Sequence, residues 1–142
     1  DGASALVLMR ESTAKARGLS PLARIVAHST QSQHPSEFTI APIGAMEKLL
    51  AKTGWSVADV DLFEINEAFA MVTMAAMIKH NIPHEKVNVH GGACALGHPV
   101  GSTGSRIILS LIHALKQYGC KRGIASLCIG GGEATAMAIE LI

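Results

Sequence analysis

Apolar and polar positions are grouped along the chain in blocks that predict strands and helices in turn. Gly2-Ala-Ser-Ala-Leu-Val-Leu-Met9 is a short apolar run that reads as a buried strand. A short polar helix over Ser12 to Arg17 follows and stops at Gly18. Ala23-Arg-Ile-Val-Ala-His-Ser29 reads as a second strand, and the polar segment from Gln31 to Ile40, which contains Pro35, as a loop. Ile43, Met46 and Leu50 recur at helical spacing, and Gly54 stands where a left-handed residue ends a helix. Ser56-Val-Ala-Asp59 has capping-box spacing, and Val60 to Ile65 is dense in apolar residues, as an interior strand would be.

From Glu67 to His80 nearly every face is apolar, which predicts a helix buried on most sides. Val87-Asn-Val-His90 reads as a short strand or extended segment running into a long glycine-rich turn, Gly91 to Gly104. Ile107, Ile108, Leu111, Ile112 and Leu115 give an amphipathic helix over Ser105 to Tyr118, ended by Gly119. Two strands close the chain, Gly123 to Cys128 and Ala134 to Ile142, separated by Gly130-Gly-Gly132. Helices alternating with mostly apolar strands predict α/β layers around a central mixed sheet.

Composition narrows this picture. A length of 142 residues suits one domain spanning 1–142, and 49% hydrophobic against 16% charged residues supports a packed core. Aromatics are only 4%, leaving that core to Ala, Val, Ile, Leu and Met. A net charge of +1 with scattered Lys and Arg argues against a nucleic-acid partner. The longest apolar stretch, Ala68 to Ile78, is shorter than the roughly 20 residues a membrane-spanning helix needs. Three cysteines without disulfide-like rhythm point to a reducing compartment, the cytoplasm. The opening residues do not read as a signal peptide, and a start at Asp1 suggests a piece of a longer protein.

Three glycine-flanked clusters carry the candidate chemistry. The first, Glu64-Ile-Asn66-Glu67-Ala-Phe69, lies at a strand-to-helix junction. Asn66 there is either an N-cap or an amide that positions a water or a carbonyl oxygen. In the second, Gly91-Gly-Ala-Cys94-Ala-Leu-Gly97-His98-Pro99-Val-Gly101, His98 sits in a turn where glycines let a ligand approach. Its imidazole can move protons near neutral pH. The third is Cys128-Ile-Gly130-Gly-Gly132, ending a strand. Cys128 is either a small buried hydrophobe or a reactive thiol, and the glycine N–H groups can point at an oxygen gaining negative charge. Sheet ligands favour such strand ends. A metal is not expected, because His84, His90, Cys94 and His98 lack the paired spacing of zinc sites. GxGxxG, GxxxxGK[ST] and GxSxG are all absent. Cys120, beyond a helix C-terminus where the dipole disfavours a thiolate, reads as structural.

Taken together and in order, Asn66-Glu-Ala-Phe69, Gly91-Gly-Ala…Leu96-Gly-His98-Pro99…Gly101 and Cys128-Ile-Gly-Gly-Gly132 resemble the signature blocks of thiolases. That resemblance runs through essentially the whole chain. It implies the C-terminal half of the layered αβαβα thiolase fold, a mixed sheet sandwiched between helices. The implied reaction is a Claisen condensation of two acyl-CoA units, or thiolysis of a 3-ketoacyl-CoA in reverse. Carried over, Cys128 would be the acid/base cysteine, and His98 would help activate the nucleophile and donate to a thioester oxygen. Asn66 would hold a water at the thioester oxygen, Gly130 N–H would form part of an oxyanion hole, and Phe69 would pack against pantetheine. No resident cofactor is implied, since the coenzyme A thioester is substrate and product. The implied partners are acyl-CoA and CoA, the absent N-terminal thiolase domain, and further copies in a homo-oligomer.

Nothing here matches the family's acyl-accepting cysteine block, and Cys94 lies at a position beside the site. The chain alone is therefore expected to be inactive, because covalent catalysis needs that acceptor. Two rivals follow from the same residues. One is a non-catalytic CoA-binding or oligomerisation module derived from a thiolase. The other is a hydrolase using Cys128 and His98, which would acylate Cys128.

Overall fold

The computed structural model describes all 142 residues. Four strands form one mixed sheet: β1 (Ala23–Ser32), β2 (Leu62–Ile65), β3 (Arg122–Ile129) and β4 (Glu133–Leu141), in the order β1-β4-β3-β2. β4 runs antiparallel to both neighbours, whereas β2 and β3 are parallel. The short polar helix forms as α1 (Glu11–Ala16), and helices cover the sheet on its two faces, so the predicted sandwich of a mixed sheet between helices is what forms. Phe63, Ile65, Ile124, Ala134, Ala136 and Ala138 point to one face. There they pack on α2 (Ala41–Thr53) and α3 (Ala70–His80) through Met46, Leu49 and Ala76. Leu62, Ala125 and Ile139 point to the other face, against Ile107, Leu111 and Leu115 of α5 (Thr103–Gln117). Period-two alternation along β2 and β3 thus feeds two separate cores.

The helix stops follow from chemistry visible in the sequence. Gly54 closes α2 in the left-handed region at φ 70, its N–H donating to Leu50 O. Asp59 accepts the Ser56 N–H at 2.8 Å, as the capping-box spacing anticipates, although what it caps is a single 3-10 turn, Val57–Asp59. No helix of the chain is long and apolar enough to cross a membrane.

Four expectations change. Gly2 to Met9 is not a buried strand: it pairs with nothing, and Val7 and Leu8 are 86% and 65% exposed. An apolar run becomes a strand only where a sheet edge receives it. Here the edges are β1 and β2, and the outer side of β2 takes only the Phe63–Val87 bridge. The segment is tethered instead by Ser4, whose hydroxyl meets those of Ser102 and Ser105 at 2.7 and 2.6 Å. The expected loop from Gln31 to Ile40 is a strand end followed by a 3-10 helix, Pro35–Ile40, with Pro35 at its start. α3 buries only one side, through Val72, Thr73 and Ala76, while Met71, Met74 and Ile78 are exposed. Within the glycine-rich turn, residues Ala93–Leu96 form a single helical turn, α4, and α5 starts earlier than expected.

Candidate functional site

Two of the three clusters meet where β2 and β3 end side by side. Ile65 pairs with Ser126, and the Asn66 N–H donates to Ser126 O at 2.9 Å. Asn66 therefore leaves the sheet beside the stretch of β3 that carries Cys128. The junction is held from several sides. Asn88 exchanges side-chain hydrogen bonds with the Ile65 N–H and C=O, both at 2.9 Å, and Thr73 Oγ1 donates to Ile65 O at 3.1 Å. These bonds replace the ladder that a fifth strand would supply beyond β2.

Asn66 is not an N-cap. The residue preceding α3 is Phe69, without a side-chain cap. Asn66 is instead 2% exposed and accepts from Arg106 Nη2 at 3.1 Å through Oδ1, while its Nδ2 has no partner.

His98 follows α4 and is turned by the start of α5. Its Nδ1 lies 2.7 Å from Thr103 Oγ1, and that hydroxyl donates to Pro99 O at 3.1 Å. A hydroxyl has one proton, so Nδ1–H must donate to Thr103. The neutral ring consequently presents Nε2 as an acceptor or base. His98 lines an open cleft of about 780 Å³ with Gly2, Ser4, Gly97, Pro99 and Arg106. Thr103 and Arg106, one turn apart on α5, thus contact His98 and Asn66 from one helix end.

Cys128 is half-buried and its thiol makes no hydrogen bond to another residue; burial pushes its pKa up. The thiol is therefore the resting form at neutral pH. The glycines after it divide by role. At Gly130 an added Cβ would meet no heavy atom within 4 Å, so nothing in the chain's own packing requires glycine there. Gly132 lies at φ 104 with its Cβ position against the Gln33 carbonyl oxygen. Phe69 is 58% exposed and packs edge-on to Phe38, ring centroids 6.3 Å apart. No hydrogen bond joins Cys128 to His98 or Asn66. Cys94 is exposed, and the adjacent Glu67 carboxylate raises its thiol. Cys120, whose thiol donates to Tyr118 O, is raised by burial. His84, His90, Cys94 and His98 do not gather into a ligand set.

Arg106 and Thr103 were not anticipated as site residues, and Glu64 and Glu67, though within the first cluster, were given no role there. A glutamate inside the apolar run Val60–Ile65 was the available signal for Glu64. Partial burial works to raise Glu67, but donation from Cys94 N–H at 2.9 Å and Asn88 Nδ2 at 3.1 Å holds it below the usual carboxylate range. Glu64, 2% exposed, shows the opposite outcome: burial pushes it from 4.5 up to about 7, against attraction from Arg106 and with repulsion from Glu67. Between those two pKa values the folded chain keeps a proton that the unfolded chain has lost. Stability should therefore fall as pH rises from about 4.5 to 7. The loss amounts to about 3 kcal/mol at most. Glu64→Gln, which cannot ionise, is expected to flatten that slope and to exceed the wild type in stability at pH 8. Urea denaturation of both proteins at pH 5 and pH 8 measures this; parallel slopes would contradict the assignment.

The family model described as "Thiolase, C-terminal domain" matches residues 19–141. The chain is 51% identical over 140 residues to a cytosolic acetyl-CoA acetyltransferase of Mus musculus, covering 99% of this chain and 35% of that protein. A crystal structure of the Bacillus anthracis acetyl-CoA acetyltransferase superposes with a TM-score of 0.91 at 50% identity, over 94% of this chain and 34% of the other. A thiolase of Ascaris suum, solved in complex with coenzyme A, superposes at 0.88 with 37% identity, over 94% and 34%. The chain thus spans about a third of the length of the relatives it matches.

Proposed function

Since this chain belongs to the thiolase family, as its C-terminal domain, we propose that it supplies the acid/base half of an acetyl-CoA acetyltransferase site. One observation carries this most directly: α5 holds His98 with Nε2 available and Asn66 with an unused amide donor, next to the strand that carries Cys128 and leads into Gly130. In synthesis the Cys128 thiolate takes the α-proton of the second acetyl-CoA. The enolate oxygen is met by a water held on Asn66 and by the Nε2–H that His98 carries in its protonated form, and the new ketone oxygen by Gly130 N–H. The enolate carbon attacks the acyl thioester on a cysteine of the N-terminal half, forming the C–C bond and releasing that sulfur. In thiolysis Cys128 returns the proton to the departing carbanion. Phe69, exposed beside Phe38, offers an apolar wall for the pantetheine arm. The coenzyme A thioester is substrate and product, and the scheme uses no resident cofactor.

The partner half is a second inference from the same surface. Met71, Met74 and Ile78 expose an apolar face of α3, and Val7 and Leu8 expose another. Faces of this kind mark contact surfaces. We assign them to an N-terminal thiolase domain and expect the completed enzyme to be a homo-oligomer in the cytoplasm. The experiment is completion: this chain joined to the N-terminal part of a related acetyl-CoA acetyltransferase should cleave acetoacetyl-CoA, while the 142-residue chain does not. Turnover by the chain alone, or none by a folded completed enzyme, would overturn the proposal.

A further inference from the structure

We propose that Arg106 is a positioning residue, one that fixes the Asn66 side-chain amide so that its NH2 group is the donor offered to the reaction. The consequence for catalysis rests on the acyl-transfer function proposed above; the geometry does not.

An asparagine amide has an oxygen at one end and two N–H donors at the other, and its neighbours decide which way it turns. A guanidinium has five donors and no acceptor. With Arg106 Nη2 only 3.1 Å from the amide, Oδ1 must face it, because the opposite orientation would set donors against a donor. The hydrogen bond is charge-assisted and so stronger than one between neutral groups.

Arg106 is itself well placed to hold that end. It lies on the first turns of α5, three residues beyond Thr103, and its Nε and Nη1 are enclosed without a partner. Glu64 on β2 precedes Asn66 by two residues, and the strand's alternation, carried one residue past its end, puts both on the α5 face with Leu62. Glu64 Oε1 is also buried without a partner, and no direct ion pair joins it to Arg106. The guanidinium and the carboxyl therefore flank the Asn66 amide as a polar island between β2 and α5. With Oδ1 turned to Arg106, Nδ2 is the end the amide presents elsewhere, and neither of its two protons has a partner within the chain. A buried donor left unpaired is costly, so such a group suits an oxygen that gains negative charge, or the water that serves it.

The test reads the amide directly. In the 15N-labelled chain, the Asn66 side-chain NH2, assigned by its loss in Asn66→Asp, should show an order parameter of about 0.85, as in rigid backbone. Arg106→Met should drop it below about 0.6 with other backbone amides unshifted. Arg106→Lys should recover part of the order, since it keeps the cation but not the fork. Should Arg106→Met fail to fold, Arg106→Gln retains the stem and a weaker donor, and should show intermediate order. An Asn66 amide as rigid in the folded variants as in the wild type would overturn the proposal. In the completed enzyme, Arg106→Met should lower kcat roughly 10–100-fold, as a misplaced group does, with KM for acetyl-CoA within about twofold. A kcat unchanged in a variant whose amide has become mobile would also overturn it. If the completed wild type is inactive, the proposed function fails, while the amide measurement still decides the role of Arg106.

Discussion

Cys128→Ala, in the enzyme completed by an N-terminal thiolase half, is expected to slow carbon–carbon bond formation by roughly 10²–10⁴-fold, the usual range for removing a general base. Acylation of the other cysteine should continue, because that step does not use Cys128. The discriminating measurement is exchange of the acetyl-CoA α-protons with deuterated water. Wild type should exchange them and Cys128→Ala should not. The elevated thiol fixes the pH behaviour. Burial without a compensating cation keeps Cys128 protonated at neutral pH. In the proposed mechanism synthesis begins from the thiolate, and it should accelerate as pH rises through the thiol's pKa. Thiolysis, which needs the proton on sulfur when the carbanion departs, should slow over the same interval. Profiles that rise together would place the proton transfer elsewhere. Exchange that survives in Cys128→Ala would remove this residue from the mechanism. A hydrolase built on Cys128 and His98 makes the opposite forecast, a thioester trapped on Cys128 itself, which mass spectrometry of the acylated enzyme distinguishes.

Local patterning made much of the fold legible, because its causes are local. The spacing of Ile107, Leu111 and Leu115 is enough to set α5 on the sheet, and Gly54 ends α2 through its own backbone freedom. β3 and β4 follow from two apolar runs around a glycine turn, which has a single economical solution, an antiparallel pair. Partners are where the pattern falls short. Gly2 to Met9 has the composition of a strand yet finds no edge, and α3 has apolar residues on most sides yet buries one. Composition states what a segment can bury, and the rest of the molecule decides whether it does. The site divides similarly. Asn66, His98, Cys128 and Gly130 stand out through glycines and strand ends close in sequence. Arg106 contacts Asn66 across 40 positions of chain, and nothing in its own neighbourhood signals that contact. Glu64 was visible as an anomaly, a carboxyl within an apolar strand, but its meaning depends on which face of β2 meets α5.

Gly132→Ala should unfold the chain most readily of any single methyl added to its glycine triplet. Gly132 sits at φ 104, where an L side chain is strained by about 1–3 kcal/mol. Its Cβ would also overlap the Gln33 carbonyl oxygen and press on His34 and Pro35 at 3.1 Å, all of them backbone or ring atoms that cannot swing aside. The same residues are joined by the Gln33 N–H to Gly132 O bond at 3.0 Å, so relief by separation would break the link between the β3–β4 turn and the end of β1. Strain and overlap together should cost about 3 kcal/mol or more, against a total stability of about 5–15 kcal/mol for a domain. A melting point lowered by roughly 10 °C is the expected readout. Gly130→Ala is the control two residues away. With no heavy atom within 4 Å of its added methyl, it should stay within about 0.5 kcal/mol of wild type. Under the role proposed for Gly130 its effect should fall on catalysis: in the completed enzyme the methyl would crowd the oxygen that approaches the Gly130 N–H, lowering turnover in a chain that melts normally. Equal destabilisation by both substitutions would mean that the triplet is a structural turn throughout. A melting point for Gly132→Ala within a few degrees of wild type would show that the turn can move away from Gln33.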